Sequence, residues 1–184
     1  MSLLMLDSRW KRFNDEARAC PCCGVQFNGI FDIGFSEPED WPHAPYTGAP
    51  VEVEDDVLTS DYCRIDGRHF LRAVLLLPVR GADDNFGFGA WVEVSRDVAR
   101  AYGETFGDDP QPFEGEGLLA NTLPGFEDEQ GIAVALTCPD PAERALIHPL
   151  DGPLAEALEN GISFDDLLDI YAASGNDIRP HLTQ

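Results

Sequence analysis

The apolar positions of this chain change period along its length. At the N-terminal end Leu3, Leu6, Trp10, Phe13 and Ala17 recur at helical spacing, with Arg9, Lys11, Arg12 and Glu16 between them. That pattern predicts an amphipathic helix over 3–18 in a helical N-terminal stretch 1–19. Residues 25–35 are short-period, apolar and punctuated by glycine, which reads as a hairpin or ribbon. Pro38, Pro42, Pro45 and Pro50 make 36–50 a loop.

The centre of the chain reads as strands. Glu52–Glu54 and Asp61–Ile65 lead to Asp66-Gly67, a hairpin turn signal, and a strand follows over 70–79. Over 86–94 the residues Phe86, Phe88, Ala90, Val92 and Val94 fall on one side. Gly87, Gly89, Trp91 and Glu93 fall on the other, and the glycines leave room for a neighbouring backbone or ring. Ser95 caps a helix running to Tyr102. Residues 107–130 are acidic and rich in Gly and Pro, with Leu118, Leu119 and Leu123 as anchors. Strands follow at 132–137 and Leu146-Ile147, then a helix over 154–158. Ser163 caps a last helix carrying Leu167, Leu168 and Tyr171, and Gly175 stops it. The expected architecture is α+β: one domain, 1–184, with a mainly antiparallel sheet flanked by N-terminal and C-terminal helices.

Composition narrows the function classes. A length of 184 residues with 43% apolar content supports one folded core. Acids outnumber bases 34 to 12, for a formal charge of −22. That argues against nucleic acid or an anionic membrane as partner. No apolar run is long enough to span a bilayer. The first apolar stretch precedes its positive charges, the reverse of a secretory signal, so a cytoplasmic protein is expected.

The chemistry concentrates in cysteine. Three of the five cysteines crowd at Cys20, Cys22 and Cys23. Cys20-Pro-x-Cys23-Gly24 has the form of a zinc knuckle, in which a tight turn aims two thiolates at one ion. Zinc is the candidate cofactor, with Cys20, Cys23 and Cys63 as ligands; Cys63 lies in a strand able to pair beside the ribbon. The fourth ligand stays open among Cys138, His43 and His69. Two other readings stand beside it. The thiols are buried packing residues, or they form a redox pair; a thioredoxin-like pair opens a helix, whereas here a helix precedes and an extended segment follows. A second candidate site comprises Asp61, His69, Arg72 and Trp91. His69, beside Arg68 and Arg72, offers an anion contact or a base, against the plainer reading of a solvated hairpin histidine. Trp91, Phe86 and Phe88 read as core rather than as a ligand cage. No nucleophile elbow or dinucleotide fingerprint is present.

Several stretches resemble a bacterial family, domain of unknown function 2199. They include Thr59-Ser-Asp-Tyr-Cys-Arg-Ile-Asp-Gly-Arg-His-Phe70, Arg72, Leu77-Pro-Val79, Phe86-Gly-Phe-Gly-Ala-Trp-Val92 and Ser95. Asn121-Thr-Leu-Pro-Gly-Phe126, Arg144, Pro153-Leu-Ala155, Gly161-Ile-Ser163 and Cys20-x-x-Cys23-Gly24 continue the match, over about 20–165. The resemblance implies a common fold and no activity. Two positions depart from it. Phe27 and Gly152 stand where the resemblance implies histidine. Taken together, the expected function is a non-enzymatic cytosolic interaction module acting through a protein partner and stabilised either by a structural zinc site or by plain packing. The alternatives are an acidic immunity or decoy protein for a basic partner, motivated by the charge, and a thiol-dependent enzyme or redox protein.

Overall fold

The computed structural model describes residues 2–183. The first helical stretch is shorter than its spacing predicts. A single 3-10 turn covers Leu3–Leu6, and helix α1 is only Ser8–Phe13. The Asp7 side chain accepts from the Arg9 amide and starts a new helix. Asn14 closes it, its side-chain amide donating to the Trp10 carbonyl at 2.8 Å. Gly29 N–H takes the Phe13 carbonyl at 2.9 Å. The freed chain then makes the cysteine turn, which a helix to residue 18 would have left less room to form.

The strands are β1 (Ile33–Gly34), β2 (Val51–Val53), β3 (Asp56–Leu58), β4 (Tyr62–Ile65), β5 (Arg68–Pro78), β6 (Asn85–Val94), β7 (Phe113–Leu119), β8 (Ala133–Cys138) and β9 (Leu146–Pro149). The remaining helices are α2 (Arg96–Glu104), α3 (Gly152–Asn160), α4 (Phe164–Ala173) and α5 (Arg179–Leu182). The fold is α+β, as the pattern predicts. All nine strands join one sheet in the order β1-β6-β7-β8-β9-β5-β4-β3-β2, and β5 also pairs with β6. This second pairing of β5 closes β5 to β9 into a small barrel. The closing contact, β9 on β5, is parallel, with Val74 opposite Leu146. The other barrel pairings are antiparallel.

Alternation along the strands builds two apolar regions. Leu71, Ala73, Leu75 and Leu77 of β5 face inward with Phe86, Phe88, Ala90 and Val92 of β6. Val134, Leu136 and Ile147 complete that interior, and Trp10, Phe13, Leu167 and Tyr171 extend it under the helices. The opposite face of the β4–β6 ribbon carries a smaller cluster of Trp41, Leu58, Cys63, Ile65, Phe70 and Trp91. The proline-rich 36–50 loop covers it. Asp66 (φ 52°) and Gly67 (φ 78°) form the expected two-residue hairpin turn.

One segment differs from expectation and another holds a strand that the pattern does not predict. Residues 25–35 form no hairpin of their own. They run parallel to β6, with Gly34 opposite Gly89. A neighbouring backbone does run beside these glycines, but a Cβ on Gly89 would reach only ordinary contact with the Gly34 Cα, at 3.5 Å; the close approach is at Gly87, where a Cβ would lie 2.9 Å from the Asp32 carboxylate. The acidic 107–130 stretch contains β7. Its inward positions read Phe113, Gly115, Gly117 and Leu119. A Cβ on Gly115 would lie 2.7 Å from the Val98 side chain of α2, so glycine there lets the helix seat on the barrel.

Candidate metal centre

The N-terminal cysteines sit on one tight turn. The Cys20 amide donates to the Val25 carbonyl and the Gly24 amide to the Cys20 carbonyl, both at 2.8 Å. Ala19 and Gln26 bridge across the base. Gly24, at φ 73°, supplies the left-handed step that reverses the chain. The segment after the turn is fixed to the body by Tyr171. Its hydroxyl donates to the Phe31 carbonyl at 2.9 Å and accepts from the Phe31 amide at 3.1 Å. The two rings stack with centroids 4.0 Å apart.

The C-terminal end supplies the fourth donor. Ile178 and Leu182 are buried and seat α5 on the main core. The Arg12 Nε donates to the His181 carbonyl at 2.7 Å. His181 Nδ1 then lies 3.3 Å from Cys20 Sγ, 3.4 Å from Cys23 Sγ and 3.8 Å from Cys22 Sγ. All four donor atoms fall within 4.8 Å of one another. Zinc–sulfur and zinc–nitrogen bonds of about 2.3 and 2.0 Å in a tetrahedron require donor separations of roughly 3.5–3.8 Å. The Cys20–Cys22 separation of 3.0 Å is shorter than that, so those two sulfurs would have to part for an ion to sit between them; the four side chains form a Cys3His group that could hold a metal. Phe27, where the resemblance implies a histidine, lies against His181 with ring centroids 6.2 Å apart.

The thiols interact strongly with one another. Cys20 and Cys22 Sγ are 3.0 Å apart, and both are free thiols. The Cys22 side chain, then the Cys22 amide and His181, pull the Cys20 thiol down to about 6. The same contact pushes Cys22 up to about 11. One proton therefore sits between two sulfurs across the neutral range. A divalent cation held here would displace that proton and would need both sulfurs as thiolates.

Cys63, the third cysteine in the predicted set, lies elsewhere. It is fully buried in β4 opposite Phe70, and burial pushes its thiol up to about 12. The structure brings Cys20 and Cys23 together and keeps Cys63 in the smaller apolar cluster. The open candidates for fourth ligand are also engaged apart from the turn. Cys138 Sγ donates to the Asp140 carbonyl at 3.2 Å, His43 Nε2 contacts Asp56 at 2.8 Å, and His69 Nδ1 contacts the Tyr62 hydroxyl at 2.8 Å.

The second candidate site is spread over two faces. His69 lines a shallow cavity with Arg64, Arg68 and Arg96, and burial with those nearby Arg64 and Arg96 charges holds it below its usual value. Arg72 and Trp91 pair across β5 and β6 on the other face. Trp91 is fully buried, its Nε1 donating to the Phe35 carbonyl. Asp61 pairs with Arg144 at 3.1 Å. Phe86 and Phe88 are core, as their alternation predicts.

Sequence reasoning missed Cys22 as a donor and His181 altogether. Cys22 was hidden as the variable position inside Cys-x-x-Cys. His181 stands 158 residues from Cys23 in a four-residue helix. The available signal was Ile178 and Leu182 at helical spacing, which fixes the face of α5 and leaves His181 on another.

A family model described as an uncharacterised protein conserved in bacteria, DUF2199, matches residues 19–162. The chain belongs to that family. No curated protein and no solved structure matches it. The matched region contains the cysteine turn and ends before His181. Among the described residues no helix is long and apolar enough to cross a membrane.

Proposed function

We propose that this family member is a non-enzymatic interaction module whose two chain ends are joined by a structural zinc ion. Cys20, Cys22, Cys23 and His181 hold the metal. The observation that carries the reading is the convergence of three sulfurs and one imidazole nitrogen on one point. A Cys3His set is the composition of a closed site, which stabilises structure rather than activating water. The ion would supply charge to hold three thiolates in a chain of −22.

The test is metal content per chain by mass spectrometry on untagged protein, with native thiol counts before and after chelation. One zinc per chain, and about three thiols unmasked by chelator, is the expected result. Absence of metal from protein grown with ample zinc, with the three turn thiols reacting freely, overturns it. A thiol–disulfide role is the second reading, favoured by the Cys20 thiol at about 6 and its 3.0 Å approach to Cys22. It predicts reversible oxidation of that pair in metal-free protein at a defined potential.

A further inference from the structure

Positive charge is scarce in this chain, with 12 bases against 34 acids. Four of those bases, Arg9, Lys11, Arg12 and Arg18, line one cavity of about 570 Å³ beside Leu182 and Thr183. Among the described residues Asp15 is the one acid in that lining. Arg9 is answered by Asp7 and Asp165. Arg12 differs. It is 8% exposed, its Nε is held by the His181 carbonyl, and its Nη2 is buried without a hydrogen-bond partner. A buried guanidinium nitrogen left unpaired is costly, and a ligand oxygen is the natural remedy. Lys11 and Arg18 are exposed beside it.

We infer that this cavity binds a phosphate-class oxyanion, with Arg12 as the directional donor and Lys11 as charge on the rim. Arginine's planar fork suits two oxygens of such an anion, while lysine adds a point charge. The cavity adjoins the metal centre through the contact of Arg12 with the His181 carbonyl, but the inference does not rest on zinc being bound there. Its lining residues fall outside the family match.

The test is calorimetric titration of the whole protein with inorganic phosphate, in chloride buffer at constant ionic strength. Saturable one-to-one binding is expected. Arg12→Lys, which keeps charge and loses the fork, should weaken it about tenfold. If that variant folds poorly, Lys11→Gln at the exposed rim should weaken it several-fold with thermal stability unchanged. Asp15→Asn should tighten it, because it removes the repelling carboxylate. No saturable heat, or affinity that none of these variants moves, overturns the inference.

Discussion

Cys63 and Cys138 lie in strands and are buried, whereas Cys20, Cys22 and Cys23 lie in a turn where two of the three are exposed. In the first region burial acts most on the thiol, with nearby carboxylates adding to it: Asp56 for Cys63, which rises to about 12, and Asp140 and Glu143 for Cys138, which rises above its usual value. In the second, sulfurs held close by a turn divide one proton unequally. The same side chain thus serves as apolar filler in the sheet and as a polarised donor at the chain ends. Neighbour geometry separates the two uses, and residue type does not. The barrel closes through its own strands, none of which contains a residue of the turn. The zinc reading therefore assigns the metal to local order at the ends, with the barrel as an independent scaffold.

Removing a metal donor tests that division most severely. His181→Ala should lower zinc affinity by more than about a hundredfold, since loss of even an outer-sphere partner costs about 10–100-fold. Competition with a chromophoric chelator measures it. Far-ultraviolet circular dichroism should keep the strand signal, because β5 to β9 contain none of the donors. Loss of the barrel along with the metal would erase the distinction between scaffold and staple.

The buried region answers next. Cys63→Ser places a hydroxyl among Trp41, Leu58, Phe70 and Trp91. It should cost about 2 kcal/mol in urea unfolding, the usual penalty for an unpaired buried polar group. Cys23→Ser, at an exposed position, should cost under about 0.5 kcal/mol in chelated protein and abolish tight zinc binding. Equal costs at both sites would mean the two regions are not different in kind.

How much of this was legible follows the same physical line. Strand β6 declared itself through Phe86, Phe88, Ala90 and Val92, whose alternation survives in the barrel interior. Strand β7 did not, because two inward positions are Gly115 and Gly117, which carry no apolar signal and exist to admit α2 and β6. Barrel closure rests on one parallel pair, Val74 and Leu146, far apart in sequence and without a turn to announce it. The Cys20-to-Gly24 turn was readable because local spacing makes it. The partner of that turn was not, since His181 arrives through the burial of Ile178 and Leu182, a tertiary event. Local chemistry writes itself into adjacent residues, and long-range delivery does not.

Acidity offers the finest probe of the comparison. Cys20 is lowered on folding, so its contribution to stability is complete above the unfolded thiol value and fades as pH falls through about 6. Cys22 is raised, so its contribution is complete below that unfolded value and fades as pH rises through about 11. An unfolded cysteine titrates at about 8.5. Between the two limits, chelated protein keeps the pair with one shared proton. The urea stability of wild type minus that of Cys22→Ala should therefore climb from about pH 6, peak near the unfolded thiol value of about 8.5, and decline above it. Cys63 is raised as well, but it is present in both proteins and cancels from the difference. A flat difference curve would show that the two sulfurs do not share a proton in solution, and the turn would then be no more polarised than the buried strands.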